Sequence, residues 1–298
     1  MPRPLCVILG PTASGKSGLA HAVAREAGAA ILSVDSMSVY RGMDIGTAKP
    51  SAAERAEVCY HGLDLADPNE TFTVARWLAE AERVIAESDR PLVLAGGTPL
   101  YYQALFHGLF EGPPADEAYR AELAAVPEAQ LHARLAAIDP EAAARIHLND
   151  RKRLVRALEV HRATGRPISG QQTQWEEAAR FPSVRFGLSW PREALNRRIN
   201  ARTRAMIAAG WIEEVRALLA RFGDLSATAA EAAGYRLLAE VVKGRMAEAD
   251  AVEQIKIRTR QLAKRQMTWF RRFREVHWLP GDAPLERNVE AVLASWRP

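Results

Sequence analysis

The stretch from Pro4 to Leu9 is almost wholly apolar and runs straight into a glycine-rich segment ("PLCVIL", then "GPTASGKS"). An unbroken apolar run of this length reads as a strand buried on both faces, as in a parallel sheet. The spacing then predicts a helix from Ser17 to Glu26. "AAILSVD" at 29–35 and "PLVLAGG" at 91–97 repeat the texture, short apolar runs ending in acid or glycine. Between them, residues 74–87 ("VARWLAEAERVIAE") place apolar groups at helical spacing. Strands alternating with helices, with polar groups at the strand C-terminal ends, predict an α/β fold on a parallel, doubly wound sheet.

After "FEGPPAD" the pattern changes. Residues 116–165 are rich in Ala, Glu and Arg, are broken at Pro127 and Pro140, and read as short helices. A further break, "TGRPISGQQTQW", covers 164–175. "SVRFGLSW" at 183–190 returns to strand, and from 191 onward the chain reads as mainly helical, with a long basic helix near 250–274. The expected organisation is a core at 1–114 and 182–298 with a helical insertion at 115–181.

Composition narrows the class. Of 298 residues, 48% are hydrophobic and 26% charged, which excludes a disordered chain. Cys6 and Cys59 are too few for a disulfide framework or a Cys-rich zinc site, so a reducing, cytoplasmic setting is expected. The N-terminal apolar run is too short for a signal or a membrane span, so no membrane attachment is expected. Charge is unevenly spread. Residues 1–150 hold 12 Lys/Arg against 20 Asp/Glu, and residues 151–298 hold 28 against 16. A basic half points to a polyanionic partner, with solvated Arg-rich helices as the plainer alternative.

Gly10-Pro-Thr-Ala-Ser-Gly15-Lys16-Ser17 fits G-x-x-x-x-G-K-[ST], with a strand before and a helix after. The glycines let backbone amides wrap an anion at a helix N-terminus, Lys16 adds a point charge, and the Ser17 hydroxyl suits Mg²⁺. A nucleoside-triphosphate enzyme usually has a metal-holding acid on a later strand. "PLVLAGG" ends in glycine and Thr98, without one. Asp35, at the end of "SVD", is the acid beside the loop: an indirect metal holder, a general base, or a helix cap.

"QIKIRTRQLAKRQMTWFRRFR" at 254–274 has eight Lys/Arg and no acid. Lys256, Arg260 and Lys264 share one helical face, and Trp269, Phe270 and Phe273 are interleaved. Cations with flat rings suit RNA, while the rings alone fit a core just as well. In "NDRKRLVRALEV" (149–160), Arg153 and Arg156 form a basic face. Arg198 and Arg202 lie at i, i+4, and spacing prefers neither as a phosphate ligand. The seven histidines show no metal spacing.

Taken together, "GPTASGKS", "DSMSVYRGMDIGTAKP" (35–50), "AGGTPLY" (95–101), "NDRKRLVRALEV", "AAGYR" (232–236) and "TRQLAKRQMTWFR" (259–271) closely resemble the tRNA dimethylallyltransferases. The resemblance spans residues 5 to about 275. It implies a P-loop-kinase-like core with a helical insertion that clasps the anticodon stem-loop. It implies transfer of a dimethylallyl group from dimethylallyl diphosphate to N6 of the adenosine 3′ of the anticodon, in tRNAs reading codons that begin with U. By position, Asp35 resembles the general base, Thr98 a threonine near the reaction centre, and Arg202 an arginine on the diphosphate. Gly10, Thr12, Ala13, Ser14, Gly15, Lys16 and Ser17 would hold the diphosphate, with Mg²⁺ on Ser17. Asp35, Ser36, Met37, Ser38, Thr98, Arg120, Arg151, Lys152, Arg153, Arg156, Gly234, Tyr235, Arg236, Lys264 and Arg265 fall where the family touches tRNA. A monomer is expected. Ser38, Pro99, Leu237 and Leu262 depart from the residues common at those places. A P-loop kinase and a non-catalytic RNA-binding ATPase are the competing readings; the kinase explains the loop and Asp35 but not the basic half, and tRNA-stimulated ATP hydrolysis without base modification would favour the ATPase.

Overall fold

A computed structural model describes residues 3–110, 112–171 and 179–296. The end of the break at 164–175 therefore lies outside the described residues. Two compact units are present, Met1–Phe106 with Arg180–Pro298, and His107–Ala179.

The larger unit is built on six parallel strands: β1 (Leu5–Leu9), β2 (Ala30–Ser33), β3 (Tyr60–His61), β4 (Leu92–Gly96), β5 (Ser183–Ser189) and β6 (Val276–Pro280). Their order across the sheet is β3-β2-β4-β1-β5-β6. β1 lies between β4 and β5, in register Leu9↔Gly96 on one side and Leu9↔Gly187 on the other. Every residue of β1 is buried, which is why its sequence is continuously apolar. Alternation is still visible in the packing. Leu5, Val7 and Leu9 join the core on one face, and Cys6 and Ile8 join the core on the other.

Helices cover both faces. α1 (Lys16–Ala27) supplies Leu19 and Val23 to the Cys6–Ile8 side. After α2 (Ala52–Glu57), α3 (Val74–Glu87) packs Trp77 on the other side, where α4 (Pro99–His107) adds Tyr101 and Tyr102. β3 and β6 are the strands that the apolar pattern did not announce. β3 is two residues long, and β6 is a largely exposed edge strand whose "VHWLP" lacks a buried run.

The smaller unit contains α5 (Glu117–Ala124), α6 (Glu128–Ile138), α7 (Pro140–Arg145) and α8 (Arg151–Thr164). Leu123, Leu131, Leu135, Leu154 and Leu158 form its core. Asp116, Asp139 and Asp150 accept hydrogen bonds from the first-turn amides of α5, α7 and α8. Asp139 is 2% exposed; its other oxygen takes the Ser169 amide, tying the segment after α8 back to α7.

The larger unit then continues through α9 (Arg192–Ala208), α10 (Trp211–Phe222), α11 (Tyr235–Val242), α12 (Glu248–Phe270) and α13 (Leu285–Ser295). α10, α11 and α12 add Trp211, Leu238 and Phe270 to the core that holds Leu9, while α13 joins α1 on the opposite face. Among the described residues, no helix is long and apolar enough to cross a membrane.

Candidate active site

The central strand delivers the phosphate loop. β1 stops at Leu9 and the chain turns through Gly10–Gly15 into α1. Gly15 has φ +93°, a left-handed conformation that a side chain disfavours, and it starts α1 without a side-chain cap. The first amides of α1 therefore point at whatever fills the loop, at the positive end of the helix dipole.

The loop is braced from outside. Trp190 Nε1 donates to the Ser14 carbonyl (2.9 Å) and Arg198 Nε donates to the Ala13 carbonyl (2.9 Å). The Arg198 guanidinium lies over the Trp190 ring at 4.4 Å. From inside, the Thr12 amide donates to Gln266 Oε1 (2.9 Å), and Gln266 Nε2 donates to the Gly97 carbonyl (2.7 Å). Gln266, 7% exposed, thus ties the phosphate loop to the end of β4. Sequence reasoning passed over it. The available signal was an amide on the helix face that also carries Ala263 and Phe270.

Lys16 sits half-buried beneath this loop, with Nζ 3.4 Å from the Pro11 carbonyl. Burial lowers its pKa to about 8, with Asp35 opposing the shift and Arg202 adding to it. Arg202 is also lowered from its ordinary value by burial, again opposed by Asp35. Of the i, i+4 pair, Arg202 lines both the cavity and the outer side of the phosphate loop, whereas Arg198 is engaged in bracing the loop.

Asp35 follows β2. Its Oδ1 accepts from the amides of Met37 (2.9 Å) and Ser38 (3.3 Å), which fixes the carboxylate in a tight turn. Thr98 steadies the same turn: its amide donates to the Val34 carbonyl and its Oγ1 accepts from the Ser36 amide (3.0 Å). Ser38 is 5% exposed and bonded to Ser33 Oγ (2.9 Å), so its side chain supports the turn from below. At Gly96 a Cβ would sit 1.9 Å from the Val34 carbonyl oxygen, so only glycine lets β4 pass this close to the Asp35 segment.

Lys16, Ser17, Asp35 and Arg202 line one cavity of about 210 Å³. Its apolar wall includes Met206, Trp211, Ile255 and Leu262. The Gly46–Pro50 segment closes another side. That segment is held by Glu214, whose carboxylate accepts from the amides of Asp44 (2.9 Å) and Ile45 (2.6 Å) and from the Tyr235 hydroxyl (2.6 Å). Lys49, only 1% exposed, bonds Asp44 and Asp64 there. Oxyanion-stabilising amides, a cation and a carboxylate thus meet in one partly apolar chamber. That set can stabilise a departing phosphate while accepting a proton from a second reactant.

Other positions fall differently. Gly234 and Tyr235 are buried, and Tyr235 is spent on Glu214, so neither offers surface to an external partner; the adjoining Arg236 is exposed. Arg120 and Arg156 both bond Glu159, and Arg151 bonds the carbonyls that end α5. Sequence spacing had put Arg156 with Arg153 on a basic polar face, and the resemblance had put Arg120 and Arg151 where the family touches tRNA. Lys152 and Arg153 are exposed. On α12, Lys264 and Arg265 are exposed, but Lys256 is largely buried and paired with Glu253, and Arg260 bonds Asn200, so the three-cation face does not exist as one. Pro99 opens α4, and Leu237 is in the core. Among the described residues, no group of three or more His, Cys, Asp or Glu could hold a metal.

A phosphate loop on the central strand of a parallel sheet, with the acid Asp35 just beyond β2, defines a P-loop α/β protein with an anion site. Residues 38–273 match the IPP transferase family and residues 4–59 match isopentenyl transferase. The tRNA dimethylallyltransferase of Geobacter metallireducens is 45% identical over 97% of this chain and 96% of its own. The tRNA delta(2)-isopentenylpyrophosphate transferase of Staphylococcus epidermidis superposes with a TM-score of 0.72 at 34% identity, covering 98% of each chain. A eukaryotic dimethylallyltransferase acting on tRNA has the same fold, with a TM-score of 0.81 at 23% identity over 99% of this chain and 80% of that one. The chain belongs to the tRNA dimethylallyltransferase family and is a prenyltransferase enzyme.

Proposed function

We propose that this enzyme transfers the dimethylallyl group of dimethylallyl diphosphate to N6 of the adenosine immediately 3′ of the anticodon, in tRNAs that read codons beginning with U. The observation that carries the reading is the shared cavity of Lys16, Ser17, Asp35 and Arg202. The N6 nitrogen attacks the allylic carbon, the carbon–oxygen bond to diphosphate breaks, and diphosphate leaves with the bonding pair. Asp35 takes the N6 proton, so the product amine is neutral. The amides from Thr12 to Ser17, with Lys16 and Arg202, stabilise the charge that builds on the leaving group.

The oxygen donor at Ser17, exposed at the start of α1, suits Mg²⁺, which shares its shell with phosphate oxygens and water. The ion would neutralise diphosphate charge. Thr98 acts by holding the Ser36–Ser38 turn, and through it the carboxylate. The adenosine leaves its stack to reach Asp35, at a cost of about a few kcal/mol. The anticodon stem-loop is taken by exposed cations of the helical unit, Lys152 and Arg153, and by Arg236, Lys264 and Arg265. Arg120, Arg151 and Arg156 hold that unit in shape. The enzyme works as a monomer in the cytoplasm.

Mass spectrometry of tRNA nucleosides after incubation with dimethylallyl diphosphate should show N6-isopentenyladenosine. Unmodified tRNA together with ATP turnover would overturn the reading. Asp35→Asn should slow single-turnover transfer by about 10²- to 10⁴-fold with tRNA binding retained.

A further inference from the structure

Strand β5 lies next to β1 with Gly187 opposite Leu9, so the first residue past β5, Trp190, emerges beside the phosphate loop. Its indole packs with Ala13, Leu195 and Ile199, under the Arg198 guanidinium. The turn at Gly281 passes so close that a side chain there would strike Nε1. The ring is therefore fixed, yet it lines neither of the cavities beside the loop.

Held in this way, Nε1 donates to the Ser14 carbonyl (2.9 Å). The Ser14 C=O and the Gly15 N–H are opposite ends of one planar trans peptide. Holding the carbonyl toward the indole thus turns the Gly15 N–H away from it, toward the anion side of the loop. That amide has no hydrogen-bond partner among the described residues, whereas the Thr12 amide is taken by Gln266 and the Ser14 amide by the Pro11 carbonyl (3.2 Å).

The orientation does not enforce itself. Turning this peptide over by about 180° would carry Gly15 from φ +93° to about −90°, a value open to every residue and to glycine without cost. The loop would then present the Ser14 carbonyl oxygen, not an N–H, to an anion. Among the described residues, the bond from Trp190 is what holds that carbonyl outward. The neighbouring peptide is treated alike. Ala13 has φ +63°, left-handed for a residue with a side chain, and Arg198 Nε holds its carbonyl (2.9 Å).

We propose that Trp190 is a positioning residue of the transfer reaction: its indole N–H locks the Ser14–Gly15 peptide in the orientation that gives the Gly15 amide to the departing diphosphate. This rests on the reading of the loop as the diphosphate holder. An indole that only filled space would serve as well without its nitrogen.

Trp190→Phe keeps a ring for Leu195, Ile199 and Arg198 and deletes the N–H. Calorimetry with magnesium pyrophosphate should show binding weakened by about 2- to 12-fold. The KM for dimethylallyl diphosphate should rise in step, with RNA affinity unmoved. Gly15→Ala supplies a second arm. A Cβ there meets only Arg198, at 3.8 Å, so the substitution fits and acts through φ, favouring the turned-over peptide. It should weaken pyrophosphate binding at least as much, and adding Trp190→Phe to it should weaken binding no further. Glycine-selective ¹⁵N labelling reads the peptide directly. The Gly15 amide, assigned by its loss in Gly15→Ala, should shift downfield with pyrophosphate in wild type and much less in Trp190→Phe. Unchanged pyrophosphate affinity in Trp190→Phe, equal weakening for RNA, additive losses in the double variant, or an equal Gly15 shift in both proteins would each overturn the role. Wild type that binds no pyrophosphate would overturn the diphosphate reading itself, and this role with it.

Discussion

Helices α8 and α12 are both dense in cations, yet their charges are placed differently. In α8, Arg153 pairs with Asp150, Arg156 with Glu159 and Arg162 with Glu122, while Arg151 bonds Glu128 and three carbonyls. In the second half of α12, Lys264 and Arg265 have no such partner among the described residues. The number of Lys and Arg in a segment therefore measures its capacity for ion pairs, and the acids that fold against it decide how much charge remains for a ligand. Here most of the α8 charge holds a small helical unit together, whereas Lys264 and Arg265 of α12 stay exposed.

The largest expected effect comes from emptying the α8 network. The Glu159 side chain, 1% exposed, bonds Arg120 at 2.9 Å, Arg156 at 2.6 Å and the Asp116 amide at 2.7 Å. Glu159→Gln should cost the helical unit about 2–4 kcal/mol, read as a lower urea midpoint and faster proteolysis within 107–179. Burial opposes ionisation of Glu159, but hydrogen bonds from Arg120 and Arg156 outweigh it and hold the carboxyl below its ordinary value of 4.5. Its folded pKa is depressed, so its stabilisation is present at neutral pH and fades as pH falls below about 4.5. A variant as stable as wild type would show that these arginines are as available as those of α12.

The contrast recurs within α12 itself. Gln266→Leu leaves the Thr12 amide and the Gly97 carbonyl unpaired, and should raise the KM for dimethylallyl diphosphate by about 5- to 100-fold without changing RNA affinity. Lys264→Ala and Arg265→Ala should do the reverse. Each should lower the slope of log affinity against log salt by about 1. Arg156→Ala should leave that slope where it is, and a reduced slope there would erase the difference between the two helices.

Lys16 gives the smallest and most graded effect, as a half-buried cation with no carboxylate bond among the described residues. Its pKa near 8 must rise when an anion binds beside it. Diphosphate affinity should accordingly be flat below pH 8 and fall up to tenfold per pH unit above it. Calorimetry in buffers of different ionisation enthalpy should show proton uptake on binding at pH 9. Pyrophosphate binding with no proton uptake at that pH would remove Lys16 from the set of titrating groups.

Much of the site was legible because it is local. A P-loop is eight consecutive residues, and Asp35 ends an apolar run. The insertion helices follow their prolines and aspartate caps. What was hidden depends on contacts distant in sequence. Glu159 gathers Arg120 across 39 residues, and Gln266 reaches Thr12 across 254. Spacing on one helix cannot show that a cation is claimed from elsewhere, as Arg260 is by Asn200. β6 was missed because an exposed edge strand carries no continuous apolar run.

The position of β1 also bears on how the chain is made. Leu5 pairs with Ser183, so the strand that carries the phosphate loop cannot gain its second neighbour until the ribosome has moved through β5. At ordinary elongation speeds that is a wait of roughly 10–40 s. Leu123, Leu135 and Leu154 emerge together in the meantime and can close their own small core first. The nascent enzyme should therefore hold a folded helical unit while β1 still lacks β5, and chaperones would meet it in that state.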